Sequence, residues 1–328
     1  MNRFLLPQGE AAALMPGASY SIPGLFLYSG LVYACLNQVE AKCGWRIPVR
    51  YLYGSPRVLW NGGRILFKDH GPSMEIVERE LQGAADRGIE PLLTFSATCM
   101  TEEWLKDRRC NDIMAALNAV RGGVIVTDPM LRRYIEKNYP DVSIHASVII
   151  TSFAEKKDRT PDYYRELSRR SARYVLHPDD NFDLELLAQV PKENAVLLIN
   201  ERCGFGCPQR AEHFRSTTDD MAKVMAGDFA HLSRFLDRCP YTPDRKQAGM
   251  KERNETLSVE EVLERYRMGF RTFKLQGRMD IPYVFFFDFL RFSLEPEAAF
   301  PGVYPIFAYS ILEYEKEKAK RRREKNEE

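Results

Sequence analysis

Short runs of apolar and β-branched residues recur along the chain, and most are followed by a stretch whose apolar positions repeat at helical spacing. The first clear run, Val49-Arg50-Tyr51-Leu52-Tyr53, comes after an irregular segment and a predicted helix around Tyr28 to Ala41. Glu90 to Ser96, centred on Leu92-Leu93-Thr94-Phe95, predicts a strand ahead of a long helix over Thr101 to Val120, which Gly122-Gly123 stops. Val124 to Thr127 then precedes a helix over Met130 to Asn138, ended by Tyr139-Pro140, and Ser143 to Ile149 is the next strand. Arg173 to Leu176 runs into His177-Pro178-Asp179-Asp180, whose carboxylates, with Asn181, are read as caps for a helix over Phe182 to Gln189. Ala195 to Ile199 is an unbroken apolar run, the mark of a strand covered on both faces. The last unit is a helix over Val259 to Met268, with Gly269 as its stop, and a strand over Phe270 to Leu275.

About seven such units predict an α/β fold, a (β/α) TIM-barrel-like domain of about seven to eight parallel strands. Three regions are expected: an irregular or helical segment over 1–45, the barrel over 46–312, and a charged tail over 313–328. The stretch from Pro208 to Leu257 breaks the alternation and predicts a helical insertion near 208–257. In such folds the chemistry sits where the strands end, so the residues just after each strand are the ones to read.

Charge changes this picture by exclusion. With 47 Lys and Arg against 46 Asp and Glu in 328 residues, the net charge is +1, and there is no chain-wide field to attract nucleic acid. The basic run Lys318 to Arg323 is the local exception, read first as a solvated helix end and secondarily as an RNA contact. Seven cysteines are too few, and odd in number, for a disulfide scaffold, which points to a reducing, cytoplasmic compartment. Phe4 to Leu6 and Ala11 to Leu14 are each cut short by proline, so no secretory signal is expected. Ile281 to Phe292 carries Pro282, Asp288 and Arg291, and no membrane span is expected there. Its aromatic part, Tyr283 to Phe292, is read as core, or else as a surface for a protein partner.

The candidate chemistry follows the apolar strand, in Asn200-Glu201-Arg202-Cys203-Gly204-Phe205-Gly206-Cys207-Pro208. Glycines let the backbone of such a loop approach a bulky inorganic cluster while its thiolates carry negative charge to the metal. Cys239 is followed by proline as Cys207 is, and Cys99 lies just past the Leu92 strand, so the two are candidates to complete a set of four thiolates. Zinc held by Cys203, Cys207, Cys239 and either Cys99 or His213 is the alternative, and reduced loop thiols are the bland reading. Cys35, Cys43 and Cys110 fall on predicted helices as buried small apolar residues. Arg210 stands where a C-x3-C-x2-C pattern would need a third cysteine, which disfavours radical SAM chemistry. Neither G-x-S-x-G nor H-E-x-x-H occurs, so serine-hydrolase and zinc-peptidase motifs are missing as well.

The run Asn200-Glu201-Arg202-Cys203, then Cys207-Pro208-Gln209-Arg210, then His213-Phe214, resembles the signature of the peptidase U32 (collagenase-like protease) superfamily. Phe273-Lys274-Leu275-Gln276-Gly277-Arg278 is similar to a second motif of that family. Val126 to Pro129 and Ser143 to Ser147 are similar to two of its middle strands. The resemblance spans roughly Val124 to Arg278 and does not reach the amino-terminal third. It implies a barrel holding a 4Fe-4S cluster through Cys203 and Cys207, with Cys239 and Cys99 as the looser pair. It further implies an oxygen-independent, hydroxylation-type or other redox modification of an RNA or small molecule, with an electron donor or protein partner. A U32-type peptidase and a zinc-braced binding or accessory barrel are the alternatives.

Five polar residues near these motifs are candidates for the reaction. Glu201 ends the apolar strand at the rim, and Arg210 and His213 follow the cysteines, where a cation offsets cluster or substrate charge and an imidazole moves protons. Lys274 alternates with Phe273 and Leu275 and so is expected to point into the barrel, and Arg278 lies just past that strand. The competing readings are an ion pair of Lys274 with Asp128 or Glu201 and a structural His213. His145 is expected to face the barrel interior, either at its mouth or bonded to a neighbouring strand.

Overall fold

The computed structural model describes residues 6–62, 71–228, 254–277 and 282–327. Strand β1 (Ser19–Pro23) leads to α1 (Ser29–Cys43) and β2 (Val49–Gly54). Helix α2 (Met74–Ala85) then precedes β3 (Glu90–Phe95), α3 (Glu102–Leu105) and α4 (Arg108–Ala119). Next come β4 (Gly123–Val126), α5 (Pro129–Asn138), β5 (Ser143–Ala146), α6 (Val148–Phe153), α7 (Pro161–Arg170) and β6 (Arg173–Val175). Helix α8 (Leu184–Gln189), β7 (Ala195–Leu198), β8 (Asn200–Gly204) and α9 (Arg210–Met225) follow. The remainder is β9 (Asn254–Thr256), α10 (Val259–Arg267), β10 (Thr272–Lys274), α11 (Pro282–Ser293) and α12 (Tyr304–Glu327).

Eight of these strands close a barrel in the order β1-β10-β7-β6-β5-β4-β3-β2, with every neighbour parallel. Closure leaves no sheet edge unpaired. The period-two alternation of each strand then makes two cores. Outward-facing Ile22, Leu52, Leu93, Phe95, Val124, Ile144, Leu197 and Phe273 pack under the helices in one large cluster. Inward-facing residues make two small ones, Tyr51, Tyr53, Leu92 and Ile125 on one side and Val175, Val196 and Leu198 on the other.

The closing strand lies within 1–45, the region read from sequence as irregular or helical. Ser19-Tyr20-Ser21-Ile22-Pro23 alternates, but its inward positions are serines and it ends on proline, so it lacks the apolar run of the other strands. Only the barrel shows its use: Ser21 pairs with Lys274 on one side and Tyr51 on the other. The predicted helix over Thr101 to Val120 is two helices, because Asp107 accepts from the backbone of Cys110 and caps a new start.

The segment read as a helical insertion begins as expected with α9, and 229–253 lies outside the described residues. Its end departs from the expectation: β9 pairs antiparallel with β8, a two-stranded ribbon raised from the end of β7. The strand signal of Asn254-Glu255-Thr256 is hidden because the ladder is three residues long and polar. Helix α12 covers the charged tail as far as Glu327. Most of Tyr283 to Phe292 packs inward, with Phe285, Phe286, Phe289 and Phe292 fully buried.

Candidate functional site at the carboxyl rim

Where β7 ends, the chain is fastened by a fully buried asparagine. Asn200 Nδ2 donates to Gln276 O (2.9 Å) and to Asp288 Oδ2 (3.2 Å), and its Oδ1 accepts from Gln276 N (2.7 Å). This ties the end of β7 to the residue two past β10. Glu201 follows at the rim, where its Oε1 accepts from the backbone N–H of Arg202 (2.6 Å) and Cys203 (3.0 Å) and from Gln276 Nε2 (2.9 Å). The carboxylate therefore shapes the turn that presents Cys203.

The loop comes back through Gly206, whose φ of +65° is a left-handed conformation that glycine adopts without strain. Gly206 N donates to Asp179 Oδ1 (3.2 Å), anchoring the loop to the segment after β6. Arg210 opens α9 and is only 5% exposed. Its Nη2 donates to Gly204 O (3.2 Å), while Nη1 lies 3.7 Å from Glu201 Oε2 and Nη2 lies 3.9 Å from Asp179 Oδ1. One buried cation thus sits between two carboxylates beneath the cysteine loop.

Cys203 and Cys207 are half-buried and share a hydrogen bond. Cys207 is pulled down to about 6, first by the S–H of Cys203, then by the N–H of Gln209 and the charge of Arg210, against burial and Asp179. Cys203 is pushed up, first by the same hydrogen bond and then by burial. The two thiols titrate as one unit: the first proton leaves more easily than from an isolated thiol, and the second far less easily.

Below the loop lies a histidine to which the sequence reading gave no role. His177 is buried at the end of β6, and its Nδ1 accepts from Asp179 N (3.2 Å), which assigns the ring proton to Nε2. Burial first, then the charges of Arg159 and Arg210, hold it down at about 4, so it is neutral at pH 7. The backbone N–H of His177 donates to Tyr164 Oη (3.2 Å), which donates to Asp180 Oδ2 (2.6 Å). Asp180 is fully buried and accepts from Arg159 Nε (2.8 Å) and Nη2 (3.1 Å) and from Lys156 Nζ (3.0 Å). The signal for His177 and Asp179 was their place directly after a barrel strand.

The other expected site residues fall elsewhere. Cys99 follows β3, which is four places from β7 in the ring of eight and so lies across the barrel from the pair. Thr98 bonds through N (3.1 Å) and Oγ1 (3.0 Å) to Thr218 Oγ1, eight residues along α9 from Arg210, about 12 Å at the helical rise. Burial first, then the charges of Asp219 and Asp128, raises the Cys99 thiol. Cys239 and Arg278 lie outside the described residues. His213 is half-buried on α9, its ring stacked near Phe214 at 6.1 Å. Among the described residues, no three His, Cys, Asp or Glu side chains converge as metal ligands.

Lys274 does point into the barrel, as alternation requires, with Nζ 4.2 Å from the centre of the Tyr53 ring. It borders a cavity of about 10 Å³, room for one water, together with Ser21, His145 and Arg173. His145 lies deep toward the amino end rather than at the mouth. Its Nε2 is 2.9 Å from Ser143 Oγ, which donates to Glu90 Oε1 (2.5 Å). Tyr51 stands edge-on to its ring at 5.2 Å and accepts from Arg173 Nε (3.0 Å).

Two thiols that share a proton beside a buried cation, on a glycine-bearing loop, suit a soft metal or an iron–sulfur centre on their side, and further donors must come from outside this pair. No protein-family model matches the chain, and no curated protein matches it. The chain is similar in structure to a U32 peptidase, at 17% identity over 79% of this chain and 92% of that one, with a TM-score of 0.48. It is also similar to the dihydropteroate synthase of Xanthomonas albilineans in complex with indole-2-carboxylic acid and 6-chloroguanine. That likeness has 13% identity over 79% of this chain and 87% of that one, with a TM-score of 0.29.

Proposed function

We propose that this chain is a U32-type barrel protein whose Cys203 and Cys207 give two thiolates to a 4Fe-4S cluster at the carboxyl rim. The centre takes part in an oxygen-independent modification, hydroxylation-type or otherwise redox, of an RNA or small-molecule substrate. The observation that carries the reading is the thiol pair itself: two half-buried cysteines on one glycine-bearing loop, with Arg210 buried beneath it and bonded to that loop. The motif runs from Asn200 to Phe214 and from Phe273 to Arg278 support the U32 type. When bound, an iron–sulfur cluster supplies electron transfer at a potential set by nearby charge and hydrogen bonds.

The chain's own residues prepare that rim. Glu201 orients the N–H groups of Arg202 and Cys203, and so fixes where the first thiolate points. Arg210 offsets the negative charge of the pair, and neutral His177 keeps a proton on Nε2 below the loop. Of the further donors named from sequence, Cys239 is the one this reading favours, because Cys99 is held across the barrel by the Thr98–Thr218 contact.

The test is metal content and absorbance of protein purified without oxygen, with Cys203→Ala and Cys207→Ala beside it. Iron with a broad band near ~400 nm, lost in both variants, is expected. Zinc in place of iron leaves a zinc-braced binding barrel. A metal-free protein with an unchanged fold overturns the cluster and leaves a second reading, a dithiol that cycles with its disulfide, which the shared Cys203–Cys207 hydrogen bond favours. Peptide hydrolysis that needs no reductant supports the peptidase alternative instead.

A further inference from the structure

The carboxyl-terminal helix carries an apolar face that the barrel does not use. Helix α12 packs inward through Phe307 and Ile311, both fully buried. On its outer side Ile306 is 41% exposed, Tyr309 66% and Leu312 45%. Six of the ten large apolar side chains that stand exposed among the described residues belong to α11 and α12. An isolated exposed leucine needs no explanation, but this many on adjoining helices marks a contact surface.

What continues the face decides its partner. At about 100° per residue, Lys316 and Lys320 lie within about 20° of Tyr309 around the helix. Both lysines are exposed, Lys316 with Glu313 at 2.8 Å. Over 316–325 the sequence has seven basic residues against two acidic, in a chain whose net charge is only +1. A helix whose outer side passes from apolar and aromatic to basic matches a surface with a hydrocarbon interior beneath anionic headgroups. No helix among the described residues is long and apolar enough to cross a membrane, so the contact is peripheral.

We propose that the outer face of α12, led by Ile306, Tyr309 and Leu312 and followed by its basic end, docks this protein on an anionic lipid bilayer. The apolar residues enter the headgroup region and Lys316 and Lys320 lie over the acidic lipids. This uses no residue of the cysteine rim and stands or falls apart from the proposed chemistry there.

The experiment is flotation of the full chain with vesicles of phosphatidylglycerol and phosphatidylcholine in equal amounts, against vesicles of phosphatidylcholine alone. Binding about tenfold or more stronger to the anionic vesicles, and weakened by high salt, is expected. Tyr309→Ser with Leu312→Ser, and separately Lys316→Glu with Lys320→Glu, should each reduce that binding about tenfold while circular dichroism stays unchanged. Equal binding to both vesicle types, or binding that both double variants retain, overturns the proposal. So does a concentration-dependent dimer that the Tyr309 and Leu312 variant abolishes, which gives the face to a second copy. Tighter binding to an RNA oligomer than to the anionic vesicles overturns it too.

Discussion

The two ends of the barrel contain the same kinds of residue put to different use. At the amino end, His145 is held by Ser143, Glu90 and the edge of Tyr51, and Tyr51 is held in turn by Arg173. Each of these partners is a barrel side chain, so the cluster braces the strands, and Arg173 extends it to Glu193 O (2.6 Å). At the carboxyl rim, His177 and Arg210 are equally buried, but the bonds of Arg210 and of the partly buried Asp179 run outward to Gly204 and Gly206 and so to the half-exposed thiols. Both histidines are held neutral by burial first. The difference teaches that buried charge at one end fills a core, while at the other it fixes the state of a reactive pair.

The comparison is broken most completely at Cys207. Cys207→Ala is expected to remove all the iron or zinc that the anaerobically purified protein holds, whereas Glu90→Gln at the other end should keep it in full. Metal analysis of the two variants reads this directly, and metal lost equally from both would erase the distinction between the ends.

The next effect is on stability, at Asp180. Asp180→Ala leaves Arg159 in the interior without its carboxylate and is expected to destabilise the fold by about 3–5 kcal/mol. Urea unfolding measures it, and a loss below about 1 kcal/mol would mean that water reaches the guanidinium.

Acid sharpens the comparison further. A histidine whose folded value lies below its unfolded one contributes stability that is complete above about 6.5 and is lost as pH falls toward the folded value. For His177 that window runs from about 6.5 to about 4, a loss on the order of 3 kcal/mol. His145 adds in the same direction. Glu90, lowered by His145 and Ser143 against its burial, adds a loss at still lower pH. His177→Gln should flatten the unfolding free energy between pH 7 and pH 5 more than any change at Glu90, and an unaltered slope would show that His177 takes up its proton as readily in the fold as in the unfolded chain.

The smallest expected effects come from glycine. A Cβ at Gly123 would meet Ser143 Oγ and Glu90 Oε1, so Gly123→Ala should cost about 1–3 kcal/mol by overpacking the amino-end cluster. Gly206 faces open space at φ +65°, and Gly206→Ala should cost about 1 kcal/mol of backbone strain alone. Thermal melts of the two would compare packing with conformation, and a larger loss at Gly206 would reverse the contrast between the two ends.

The sequence by itself determined the barrel class, most of its strands, the inward turn of Lys274 and the loop in which the thiols lie. Those follow from periodicity and from local chain chemistry, which each segment carries alone. Only the tertiary structure made Ser19–Pro23 the closing strand, because its serines become barrel residues only when Thr272 stands beside Ser19 and Lys274 and Tyr51 beside Ser21. It also separated Cys99 from the cysteine pair, a matter of strand order around a ring that spacing along the chain does not encode. His177 and Asp179 join the rim for the same reason: they lie more than twenty residues before Cys203, and their contacts with Gly206 and Arg210 arise only when β6 and β7 are neighbours.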